Sequence, residues 1–94
     1  MSFLLGRAGT PISSVNVAQI DAGGGLGRHE AASWQVFLVL TGRVRVEPEP
    51  PEFPVTLTAG EAVQWEPGES HESTAIEPSI VIVMEALNQF VNEN

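Results

Sequence analysis

Two segments of this chain are apolar on both faces of an extended strand, and they restrict the fold more than any other feature. Val36 to Leu40 and Ile80 to Met84 read as strands in which neither alternate set of side chains is polar. One face of a small antiparallel sheet ordinarily meets water, so strands of this kind need a cover on each side. The interior of a barrel covers one side. The other side is expected to meet a second copy of the chain, giving a homodimer, because an apolar patch left bare is a site of association. A terminal segment folded over that face is the other solution.

Further strand signals are separated by turn residues, as in a sandwich or barrel. Val15 to Asp21 lies between Thr10-Pro11 and Gly23-Gly24-Gly25. Trp34 to Leu40, Thr41-Gly42 and Arg43 to Glu47 read as a hairpin, in which Val44 and Val46 face inward and Arg43 and Arg45 outward. Glu47 to Pro54 carries prolines among acids and is expected to be a loop. Val55 to Thr58, Ala62 to Glu66 and Ser79 to Glu85 complete the strand set, and Pro67-Gly68 breaks the chain between the last two. In the tail from Ala86 to Asn94, the spacing of Leu87, Phe90 and Val91 suggests a short C-terminal helix or a docked tail. The fold class read from these signals is all-β, a small antiparallel barrel formed as one domain over residues 1–94.

The chain has 12 acidic residues against 4 basic ones, all arginine, for a formal net charge of −8. Nucleic acid and anionic membrane both require a basic surface, so neither is expected as a partner. No apolar stretch has the length of a membrane span, and Phe3-Leu4-Leu5 lacks the basic flank of a secretory signal. With no cysteine present, the expected location is the cytoplasm.

The two histidines, His29 and His71, each follow a glycine turn signal and precede a strand signal, which places both near a barrel mouth. If one strand starts near His29, then His29, Ala31, Ser33, Gln35, Phe37 and Val39 share a face. That reading turns His29 and Gln35 into the barrel with Phe37. Trp65 shares the inward parity of Val63 and is expected in the core or at the rim of the pocket, whereas Trp34 faces outward. Glu30 and Glu72 have the wrong parity to join the histidines, and Glu69, in the turn, is the acid placed to reach in. The glycine run Gly23 to Gly27 lacks the Lys-Ser/Thr ending of a phosphate loop and reads as a turn.

These spacings resemble the cupin superfamily. Gly23, His29, Ala31, Gln35 and Gly42 stand at the positions of the family's first motif, and Gly60, Gly68 and His71 at those of its second, with Pro67 moved next to Gly68. The match spans residues 23–71 and implies a jelly-roll barrel, most like the short single-domain members without an assigned activity. In metal-dependent cupins the motif residues are three histidines and a glutamate gripping a divalent transition metal. Here Ala31 stands for the second histidine and Gln35 for the glutamate.

The resemblance implies a metal set of His29, His71 and Gln35, suited to zinc, nickel, iron, manganese or copper and weaker than the full family site. The ligand-binding set is His29, Gln35, His71, Phe37 and Trp65, in a barrel that binds a small organic molecule. The other functions open to such a fold are a sensor or scaffold barrel acting through a partner protein, and a metal-dependent dioxygenase or isomerase. Without metal, the histidines and Gln35 can satisfy one another by hydrogen bonding across a polar pocket.

Overall fold

The computed structural model describes residues 12–90 of the 94-residue chain. These form eight strands: β1 (Ile12–Ile20), β2 (Gly25–Glu30), β3 (Trp34–Thr41), β4 (Arg43–Pro48), β5 (Val55–Thr58), β6 (Ala62–Trp65), β7 (Ser70–Ala75) and β8 (Ser79–Ala86). They pair antiparallel in two four-stranded sheets, ordered β1-β8-β3-β6 and β2-β7-β4-β5. The early strands thus pair with the late ones, and the middle of the chain pairs with itself. No helix among the described residues is long and apolar enough to cross a membrane.

Alternation puts Phe37 and Val39 of β3 and Val81 of β8 against Val44 and Val46 of β4, Leu57 of β5 and Ala75 of β7. Each of these is buried, and this cluster between the two sheets is the main core. Burial of one such side chain stabilises the fold by roughly 1.5–3 kcal/mol. Arg43 and Arg45 face water, as the alternation of β4 requires. The β3–β4 turn depends on Gly42, with φ of +92°, because a Cβ there would meet the Pro78 carbonyl at 2.6 Å.

A second apolar cluster lies on the outer face of the first sheet. Val36, Met84 and Ala86 are covered there by Phe90, which is itself fully buried, with Trp34 and Ile82 packed alongside. The Phe90 N–H donates to Gln64 Oε1 at 2.8 Å. The tail therefore docks, and residues 87–90 do so through bends and without a helix; Val91 lies outside the described residues. Trp34, expected to face outward, does so and is half-buried against this tail.

Candidate functional site

The site begins at an irregularity in β2. Pairing with β7 matches Leu26 to Ser73 and then His29 to His71, so the register slips between Leu26 and His29. A bulge of this kind re-aims the side chains beyond it. Arg28 leaves the slip on the outer side and ties three strands together, bonding Glu72 at 3.3 Å, Ser70 Oγ at 3.0 Å and the Glu47 carbonyl at 3.1 Å. His29 then stands directly across from His71, with ring centroids 4.5 Å apart at 67°.

This arrangement corrects one premise of the sequence reading. His29 and Gln35 do not lie on one strand: β2 ends at Glu30, β3 begins at Trp34, and the two belong to opposite sheets. Simple parity from Gln35 back to His29 fails, because the chain crosses between sheets at residues 31–33. The bulge supplies the orientation of His29 instead.

His29 is exposed, and its Nδ1 lies 2.7 Å from the Gly27 carbonyl. A carbonyl only accepts, so Nδ1 carries the proton, and in the neutral ring Nε2 keeps its lone pair. His71 is 4% exposed and stacks on Trp65 with centroids 4.5 Å apart and planes within 4°. Neither nitrogen of His71 makes a hydrogen bond of good geometry, the Glu69 backbone offering only a weak one, and Trp65 Nε1 and Ser73 Oγ have no partner among the described residues. Buried polar atoms left in this condition cost stability, and most folds avoid it.

Burial pushes the His71 pKa down to about 4, helped by the nearby charges of His29 and Arg28 and opposed by the Glu69 backbone. Between about 4 and the ordinary 6.5 the unfolded chain binds more protons at this residue than the folded chain does. Stability therefore rises with pH across that window and is lost as pH falls through it, by about 1–3 kcal/mol. Denaturant titrations between pH 4 and 7 should show this slope in the wild type and a flatter one in His71→Phe. Equal slopes in the two proteins would assign the acid sensitivity to other groups.

On the facing sheet, Gln35 pairs with Trp65 on one side and Glu85 on the other. Gln35 is buried, and its amide has no side-chain hydrogen bond among the described residues. Trp65 thus links the two halves of the site, lying beside Gln35 in one sheet and stacking on His71 of the other. Phe37 lies deeper, in the core cluster. A cavity of about 270 Å³ reaches Trp65 from the side of β4 and β5, bordered by Val46, Val55, Val63, Glu52 and the exposed Phe53.

The sequence reading missed Ser73 and Glu85. Ser73 shares the inner parity of His71 on β7, and Glu85 shares that of Val81 and Val83 on β8, so alternation alone could have found both. Glu85 accepts from Ser14 Oγ at 2.9 Å and from Ser33 Oγ at 3.4 Å. Glu69 borders the same cavity beside Trp65, while its carboxylate accepts from the Glu66 N–H at 2.7 Å and closes the β6–β7 turn.

No family's sequence profile and no curated protein matches the chain. Solved structures do. A cupin superfamily protein from Desulfitobacterium hafniense superposes with a TM-score of 0.72 at 9% identity, over 79% of this chain and 66% of that one. KdgF from Halomonas sp. gives 0.70 at 25% identity, over 80% and 69%. The Drosophila melanogaster CENP-C, in a structure bound to CAL1, gives 0.71 at 15% identity, over 78% and 64%. The chain spans about two thirds of the length of these proteins. Its fold is that of the cupin superfamily.

Proposed function

We propose that this cupin-fold chain binds a small organic molecule in its barrel, held directly by His29, His71 and Gln35 with Trp65 and Phe37 as the wall behind them. The observation that carries this reading is His71: a buried imidazole with no hydrogen bond of good geometry at either nitrogen, stacked on a tryptophan whose own N–H is unpartnered among the described residues. A residue kept for structure alone would be better replaced by an apolar one. His71→Phe is accordingly expected to stabilise the protein by about 1 kcal/mol at neutral pH, since it removes two unsatisfied buried atoms at similar volume.

The test is a set of thermal melts of wild type and His71→Phe with small polyols, hydroxy acids and keto acids. A compound that binds the native state raises the melting temperature, by the equivalent of about 2.7 kcal/mol at a hundredfold excess over Kd. At least one compound should shift the wild type and leave His71→Phe unmoved. Identical responses of the two proteins to every compound would sink the reading.

A homodimer is the second part of the proposal. Phe90 covers only part of the outer face of the first sheet, and Val15 and Val17 beyond it are 56% and 65% exposed. Along β1, β8 and β3 this face carries no charged side chain, on a chain whose net charge is −8. A second copy of the same face is the occupant that leaves no charge unpaired. Val17→Arg should convert a dimer into a monomer in sedimentation velocity; a wild type that sediments as a monomer at micromolar concentration rejects it.

A further inference from the structure

We infer that the barrel site works without a resident metal ion and takes an uncharged, hydroxyl-bearing ligand in its place. This rests on the small-molecule reading and narrows it. The cupin resemblance implies a four-ligand metal centre, and the donor set present does not fit one. Ala31, where a second histidine would stand, is 2% exposed and packed into the core cluster. Its backbone is fixed on both sides, its N–H donating to the Glu69 carbonyl at 3.0 Å and its carbonyl accepting from Gly68 at 2.7 Å. A neighbouring residue therefore cannot slide into its place, and the adjacent Glu30 is exposed.

Gln35 offers a neutral amide oxygen where the centre needs a carboxylate. Among the described residues, no three of His, Cys, Asp and Glu come together in a group able to hold a metal ion. Two imidazoles and one amide supply no negative charge to offset a divalent ion.

The polar groups around His71 are mixed in hydrogen-bonding character, and the cavity that reaches Trp65 is bordered by the acids Glu52 and Glu69, which disfavour an anionic ligand. In its neutral form His29 accepts at Nε2, Trp65 Nε1 donates, and Ser73 Oγ, His71 and the Gln35 amide each can do both. A hydroxyl group, donor and acceptor at once, is the ligand group that matches such a set without bringing in charge. The class of ligand is a small polyol.

The experiment compares untagged wild type with Ala31→His/Gln35→Glu, each dialysed against zinc, nickel, cobalt, manganese, iron(II) or copper and then against buffer. Wild type should retain a small fraction of an equivalent and show no shift in melting temperature. The double variant should retain about one equivalent, gain roughly 5 °C or more, and give ligand-field bands with cobalt. Retention of a full equivalent by the wild type, lost in His71→Phe, overturns the inference whether or not the double variant folds. Melts of metal-free wild type with glycerol, inositol and neutral monosaccharides complete the test. A shift by anionic compounds alone overturns the ligand class; no shift with any organic compound overturns the small-molecule reading, while metal retention is read independently.

Discussion

Phe90→Ala is expected to destabilise the protein by about 3–5 kcal/mol, lowering its melting temperature by roughly 15 °C or more. Phe90 is fully buried on the outer face of the first sheet and closes a cluster that includes Val36 and Met84, with only the partly buried Trp34 and Ile82 packed against it besides. Truncation to alanine removes the ring and returns its neighbours to water at the same time. The bond from the Phe90 N–H to Gln64 is made by the backbone and survives the change, so the loss reports the side chain. The uncovered surface should also drive self-association, visible as concentration-dependent light scattering. Thermal and urea unfolding measure the first effect, and a melting temperature within a few degrees of wild type would mean that the tail does not dock in solution.

The second large effect is expected at Gly25→Ala. Gly25 opens β2 opposite Thr74, and a Cβ there would overlap the Ser73 carbonyl oxygen and approach Thr74 Cα at 3.0 Å. Both obstacles are backbone atoms of β7, which can yield only by breaking the ladder. A loss of at least 2–3 kcal/mol follows. The consequence reaches the site, because the same β2–β7 pairing holds His29 against His71. In whatever fraction still folds, the His71 imidazole should titrate closer to an ordinary histidine, as NMR chemical shifts against pH would show. An unchanged melting temperature together with an unchanged His71 titration would refute this account of the pairing.

The sequence made the barrel legible because alternation is a local signal. The valines of β4 and the doubly apolar β3 and β8 could be read one strand at a time, and Val44, Val46 and Val81 are buried accordingly. The site was legible only in part, since it is built across strands. Nothing local announces a register slip between Leu26 and His29 or the crossing between sheets at residues 31–33, and without that crossing His29 reads as part of the strand that carries Gln35. The stacking of Trp65 on His71 joins residues of opposite sheets, so no spacing along the chain encodes it. The docking of Phe90 was obscured for another reason: a helix and a docked tail give the same apolar spacing over so few residues.

The strand pairing also fixes when the site can come into being. β4 pairs with its immediate successor β5, β3 with β6, β2 with β7, and β1 with β8, so each pair encloses the one before it. Closing a longer loop costs more chain entropy, and folds dominated by such distant pairings form slowly. Assembly from the innermost hairpin outward lets each closed pair shorten the loop that the next must span. His29 and His71 belong to the third of these closures, and on a growing chain His29 has to wait until β7 has been synthesised. For much of that interval the β2 segment has no partner, and its glycines and the charge of Arg28 make it a poor template for another chain.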